Sequence, residues 1–185
     1  MKKLMIVMGM WMFSLVGMAQ AQEVNEQNPY ELVKDVASKT FDRIKANQEA
    51  VKADPEMLRT IMEEELVPHI DYKFAAFMVL GKHFKSVPQE KMGEYITVFR
   101  QYLITSYAVA MGYYDNQTVQ FEPESSFDDK KSVTVRAVVQ DPKRPEIKIA
   151  FKVRKDSKTN EWKAYDMVAE GISMLNSKRS EFESI

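Results

Sequence analysis

The apolar residues of this chain change their spacing once, near Gly112, and that change limits the possible folds more than any other feature. Upstream they recur three and four residues apart. Leu32, Val33, Val36, Ala37, Phe41 and Ile44 form one stripe behind Asn28-Pro29, a capping residue with proline at the first helical position, which predicts a helix from Pro29 to about Asn47. Asp54-Pro55 repeats the start signal for Glu56 to Leu66, and an apolar stretch from Tyr72 to Leu80 ends at Gly81. Ser86-x-x-Gln89 reads as a capping box for a long helix from about Pro88 to Met111. Downstream the period is two. Thr118 to Phe121 is a short strand, and from Lys131 to Gln140 Val133, Val135, Ala137 and Val139 alternate against Ser132, Thr134, Arg136 and Val138. After the Asp141-Pro142 turn, Ile147, Ile149, Phe151 and Val153 share one face of a strand from Glu146 to Arg154. Trp162 to Val168 is a fourth strand, and a last helix is predicted from Ile172 to Phe182. Short turns imply an antiparallel meander, and helices followed by a sheet make the class α+β, a helical N-terminal half packed on a C-terminal antiparallel sheet.

The first residues stand apart from this pattern. Met1-Lys2-Lys3, the uncharged run Leu4 to Val16 and Ala19-Gln20-Ala21 are the three parts of a secretory signal peptide, cleaved after Ala21. As a helix the run reaches only about 20 Å, short of a hydrocarbon core of about 30 Å. The expected organisation is therefore a leader over 1–21 and one domain over 22–185. Six of the 13 methionines, Met1, Met5, Met8, Met10, Met12 and Met18, fall in the leader, so methionine richness is mostly a property of that segment.

Composition excludes much chemistry. Cysteine is absent, which removes disulfides, thiolate metal sites and cysteine nucleophiles. The two histidines, His69 and His83, stand apart with no further ligand pattern, and surface or helix-end roles suit them better than a metal site. A formal charge of −1 supplies no global attraction to nucleic acid. Asp128-Asp129 before Lys130-Lys131 reads as solvated turn charge, and Asn116-Gln117-Thr118 matches a glycosylation sequon of little weight. No dinucleotide, Walker, zincin or nucleophile-elbow motif is present. The most one-sided polar feature is a basic strand face, Arg136, Lys148, Lys152 and Arg154 with Lys163. It is either the wet side of an amphipathic sheet or a docking surface for an acidic partner or anionic membrane.

The apolar inventory is richer. The helix ending at Met111 carries a stripe of Tyr95, Phe99, Tyr102, Leu103 and Tyr107, with Ile96, Val98, Ile104 and Val109 on its other faces, which predicts burial on more than one side. Such walls, with methionine among them, suit either a filled core or a pocket for deformable apolar ligands.

The segment Tyr165-Asp166-Met167-Val168-Ala169-Glu170-Gly171-Ile172-Ser173-Met174-Leu175, followed by Lys178-Arg179-Ser180-Glu181-Phe182, closely resembles the MlaC family, the toluene-tolerance family of periplasmic phospholipid-binding proteins. Asn28-Pro29-Tyr30, Thr40-Phe41-Asp42-Arg43, Leu58-Arg59-Thr60-Ile61, Val79-Leu80-Gly81-Lys82, Phe99-Arg100-Gln101-Tyr102-Leu103 and Trp162-Lys163-Ala164-Tyr165 extend the likeness over the mature chain. One departure is at the C-terminus. Family members commonly continue into a further helix where this sequence stops at Glu183-Ser184-Ile185, which puts in question any pocket closure or docking which that helix supplies.

The resemblance implies an NTF2-like fold enclosing an apolar pocket, and a non-enzymatic periplasmic carrier that helps maintain outer-membrane lipid asymmetry. It would pass phospholipid between an outer-membrane lipoprotein–porin complex and an inner-membrane transporter complex with an MCE ring. No cofactor, no nucleic acid and a monomeric state are expected, with phospholipid as cargo. On that reading the helical pocket candidates are Phe74, Phe77, Met78, Tyr95, Phe99, Tyr102, Leu103 and Ile172. The strand candidates are Val135, Val139, Ile147, Ile149, Phe151, Tyr165 and Met167. A charged residue at Phe99 is expected to lower bound lipid without affecting export. The competing class is a small isomerase or dehydratase on the same fold, with Tyr165-Asp166 or Asp71-Tyr72 as an acid–base pair. Strand alternation argues against the first pair, since neighbours point to opposite faces.

Overall fold

The Asn28 side chain accepts hydrogen bonds from the backbone N–H groups of Tyr30 (2.9 Å) and Glu31 (3.3 Å), and Pro29 fills the first position of α1 (Pro29–Ala46). The computed structural model describes residues 24–115 and 117–184; the leader, its cleavage after Ala21 and Asn116 of the sequon lie outside the described residues. Leu32, Val33, Val36, Thr40 and Ile44 are the buried stripe of α1. A short helix not anticipated from sequence, α2 (Gln48–Ala53), follows Asn47 and buries nothing.

The predicted helix from Glu56 to Leu66 is α-helical only over α3 (Glu56–Ile61); it widens into a π turn, Met62–Leu66, and then a 3₁₀ turn, Val67–His69. Pro68 is the reason. It has no N–H for the Glu64 carbonyl, and its ring crowds that carbonyl, so an α turn cannot continue there. Asp71 caps α4 (Tyr72–Leu80), accepting from Phe74 N–H at 3.0 Å. A 3₁₀ segment, Gly81–Ser86, leads to α5 (Gln89–Met111). Gly81 has φ +51°, a conformation that strains any other residue, and a Cβ there would also displace the Arg179 guanidinium, 2.8 Å away. The expected capping box does not form: Ser86 belongs to the 3₁₀ segment, and Pro88 occupies the cap position with no side-chain hydrogen bond.

α5 also departs from the expected burial on several sides. Phe99, Leu103, Ile104 and Ala108 are buried, while Val98 is 61% and Val109 60% exposed, because no further layer covers the helix from outside.

The strands β1 (Thr118–Phe121), β2 (Ser132–Asp141), β3 (Arg144–Lys155), β4 (Trp162–Ala169) and β5 (Ile172–Ser173) form an antiparallel meander in chain order. Val135 faces Phe151, Ala137 faces Ile149 and Phe151 faces Met167 across the ladders, which places the predicted apolar alternation on one side. Lys152 is opposite Asp166 whereas Val153 is opposite Ala164, so Tyr165 is an extra residue in a bulge. Ile172 does not begin a helix: it pairs with Ala169, and α6 (Met174–Glu183) starts after Ser173, whose side chain accepts from Asn176 N–H at 3.1 Å.

α1 packs on β2 and β4 around the fully buried Trp162, and a second cluster joins α1, α3 and the end of α5. Phe99 and Leu103 anchor a third cluster with α4 and Leu175 of α6. The class is α+β, as the change of period implies.

Candidate functional site

Between the helices and the inner face of the sheet lies a cavity of about 130 Å³ with almost wholly carbon walls. α1 supplies Ala37, Thr40 and Phe41; the π turn supplies Met62 and Leu66; the end of α5 supplies Tyr107 and Met111. The sheet closes the other side with Val119, Phe121, Ala137, Val139, Ile149 and Phe151, joined by Ala164 to Met167 of β4. Burial declines along the strands, from Ala137 at 2% exposed, through half-buried Val139 and Ile149, to Ile147 at 44%. The cavity therefore opens toward the β2–β3 turn. A second, inner void of about 70 Å³ lies against the α1–sheet core, lined by Leu32, Val33, Val36 and His69, and shares walls with the cavity, among them Ala37, Leu66, Ile70 and Phe151.

The local chemistry explains these walls. In the widened π turn Met62 and Leu66 both reach the cavity, while its acidic residues point to cations outside. Arg100 pairs with Glu63 at 2.9 Å, and Arg43 bridges Glu64 and Glu65, whose hydrogen bonds raise the Arg43 pKa further. Small residues, Ala37, Ala137 and Ala164, stand where larger side chains would fill the space. Burial pushes the Tyr107 hydroxyl up to about 12, with the Asp166 and Tyr102 charges adding to it, so the phenol is neutral at physiological pH.

Of the residues named from sequence, Val139, Ile149, Phe151, Tyr165 and Met167 come together in this cavity. Phe99, Tyr102 and Leu103 lie behind the Tyr107–Tyr165–Met167 wall, around a space of only about 10 Å³. Val135 is fully buried in the α1–sheet core. Tyr95 donates its hydroxyl to the Ala76 carbonyl at 2.9 Å, and burial raises its pKa to about 12. Phe74 meets Tyr165 edge-on at 5.1 Å and carries the Arg154 guanidinium 4.2 Å from its ring centre, at the rim of a polar groove. Phe77, Met78, Ile147 and Ile172 are exposed, the last at 65%: α4 and β5 turn Phe77, Met78 and Ile172 outward, and Ile147 lies at the turn end of β3. The helical wall absent from the sequence candidates, Ala37, Thr40, Phe41, Met62, Leu66, Tyr107 and Met111, had two visible signals: Ala37 and Phe41 belong to the α1 stripe, and Tyr107 to the aromatic stripe of α5.

Strand alternation does not hold at the bulge, so Tyr165 and Asp166 both border the cavity. The Asp166 carboxylate is nonetheless committed elsewhere. It accepts from Ser173 Oγ at 2.7 Å and Leu175 N–H at 3.1 Å, and faces Lys152 Nζ at 3.1 Å. Its structural task is to tie α6 to the sheet. The basic strand face is likewise partly neutralised, since Arg154 pairs with Asp71 at 2.5 Å. No group of three or more metal-ligating residues is found among the described residues, and His69 instead contacts Glu26 through Nδ1 at 2.8 Å.

A helical layer over an antiparallel meander, with a carbon-walled cavity open at one end, defines an α+β protein whose interior space is chemically matched to an apolar ligand. The chain belongs to the MlaC protein family, whose profile matches residues 34–185. It is 37% identical over 153 residues to the intermembrane phospholipid transport system binding protein MlaC of Haemophilus influenzae, covering 82% of this chain and 72% of that protein. A toluene tolerance protein, ttg2D of Pseudomonas putida, is 22% identical over 160 residues, covering 86% and 73%. Among solved structures, a phospholipid-binding protein of Ralstonia solanacearum in complex with a phospholipid shares the fold with a TM-score of 0.76 at 22% identity, over 85% of this chain and 87% of that one.

Proposed function

We propose that this chain is an exported, non-enzymatic phospholipid carrier: one domain following cleavage after Ala21, working as a monomer in the periplasm without a cofactor. Its partners in this reading are an outer-membrane lipoprotein–porin complex and an inner-membrane transporter complex with an MCE ring. The observation that carries the reading is the carbon-walled cavity in a member of the MlaC family. The relative named for intermembrane phospholipid transport supports the same assignment, and the leader supports export. No described helix is long and apolar enough to cross a membrane.

The physical requirement is clear. Burying a methylene is worth about 0.8 kcal/mol, so two C16 tails represent on the order of 25 kcal/mol of exposure in water. A carrier must offer surroundings close to hydrocarbon, so that extraction from and delivery to a bilayer are near-balanced, while the phosphate stays wet at the mouth. A cavity of about 130 Å³ is smaller than ordinary ligand pockets, so loading parts its walls. Met62, Met111 and Met167 in those walls are side chains that change shape at little cost.

Organic extraction of the purified protein followed by mass spectrometry tests the proposal. Stoichiometric diacyl phospholipid is expected. A protein that stays empty after incubation with phospholipid vesicles would overturn it.

A further inference from the structure

Thr40 holds an unused hydrogen bond at the wall of the cavity. The residue is 4% exposed, lines the cavity, and its Oγ1 has no hydrogen-bond partner. A threonine within a helix usually avoids this by donating to the carbonyl four residues back. Thr97 and Thr105 of α5 do so at 3.0 Å, and Ser177 of α6 at 2.9 Å. Thr40 Oγ1 makes no such bond to the Val36 carbonyl. Trp162 Nε1 is also buried without a partner, but it sits in the α1–sheet core and does not line the cavity. A buried hydroxyl without an acceptor is destabilising, and where it borders an apolar site an incoming ligand can supply the acceptor.

The order of residues along α1 indicates which atom that is. Along α1 toward the α1–sheet core, Phe41, against Tyr114 with ring centres 4.7 Å apart, is followed by Thr40, then by Ala37 about a turn further on, and then by Val36, Val33 and Leu32 around the inner void. From Thr40 to Leu32 the helix spans about 12 Å. A diacyl lipid entering tail first places its strong uncharged acceptors, the ester carbonyls, between wet phosphate and dry chains. We propose that Thr40 is an ester-reading subsite: its hydroxyl donates to an acyl carbonyl, while that chain continues past Ala37 into the inner void. This inference rests on the carrier reading and adds to it a depth gauge and a preference for ester-linked over ether-linked lipids.

Delipidated protein, with Thr40→Val and Thr40→Ser variants, is incubated with vesicles containing equal amounts of dioleoyl phosphatidylcholine and its diether analogue. It is then repurified, and the bound lipids are quantified by mass spectrometry. One neutral hydrogen bond implies that the parent protein enriches the ester lipid roughly 3- to 10-fold. Thr40→Val, of nearly equal shape, should take up both lipids equally and melt no lower when empty, and Thr40→Ser should restore the preference. Uptake of both lipids without an ester preference, or a preference that survives Thr40→Val, overturns the subsite and leaves the carrier standing. Uptake of neither lipid by the parent protein overturns the carrier reading itself.

Discussion

Ala37→Leu separates a cavity that serves a ligand from one that is merely loose packing. Ala37 is the α1 residue common to the outer cavity and the inner void, so a larger side chain there grows into space that already exists. Leucine adds three carbons, worth about 2.4 kcal/mol if fully buried. Fixing its rotamers costs about 0.5–1 kcal/mol, leaving a net gain of about 1.5 kcal/mol in the empty protein. For a chain of this size that is a rise in Tm of about 3–6 °C.

The same side chain obstructs the passage to the inner void. A tail must then push leucine off its rotamer at a cost of about 1–3 kcal/mol, which weakens lipid uptake by about 5- to 100-fold. The two effects have opposite sign, and both are measurable: melting of delipidated protein by circular dichroism, and lipid per protein after incubation with vesicles. Delipidation matters, because bound lipid would itself raise the parent Tm. A lower Tm for Ala37→Leu would mean that no usable space exists beside α1. A higher Tm with unchanged uptake would mean that tails go elsewhere.

Phe99 is 4% exposed in the α4–α5–α6 core, so a charge there acts on folding before it acts on lipid content; Phe99→Ala is expected to cost about 3–4 kcal/mol, read as a lower urea midpoint. Asp166→Ala strands the Leu175 N–H and the Lys152 ammonium, and should cost about 3 kcal/mol with the loss concentrated at the docking of α6, visible as faster amide exchange over 174–183. Tyr95 and Tyr107 both have pKa values raised to about 12 by burial, against 10 in the unfolded chain. The folded state therefore holds these protons more tightly; its stability is intact below pH 10 and falls as pH rises through 12, and Tyr107→Phe should reduce that slope in urea titrations at stepped alkaline pH.

The period of the apolar residues made the fold class legible, and on the sheet it also made the cavity wall legible. Val139, Ile149, Phe151 and Met167 could be placed because a strand has only two faces, and the face rich in carbon is the inner one. The helical wall was harder for a physical reason. Hydropathy draws attention to bulk, and the bulky residues of α4 and α5 filled a core or faced outward, as Phe99 and Val98 show. A cavity is marked by the absence of bulk at positions facing the interior, and here that absence is Ala37, Ala137 and Ala164. Local backbone events were also hidden. The bulge at Tyr165 breaks the alternation of β4, and before Pro68 the helix that the spacing carries to Leu66 gives way to a π turn.

The small size of the cavity follows from what an empty carrier can tolerate. Unfilled apolar space costs about 24 cal/mol per Å³, so the observed 130 Å³ represents about 3 kcal/mol of lost packing. A pocket held permanently open at about 1,000 Å³, the upper end of ordinary ligand sites, would cost about 24 kcal/mol when dry. That exceeds the whole stability of a typical domain, about 5–15 kcal/mol. A protein of this kind must therefore collapse as its cargo leaves, and the gain in packing offsets part of the loss of tail contacts. The walls are suited to it: three methionines, and helical segments joined by 3₁₀ and π turns instead of one rigid rod. The residual void keeps a passage started beside Ala37, so the next tail widens an existing gap instead of opening a sealed core.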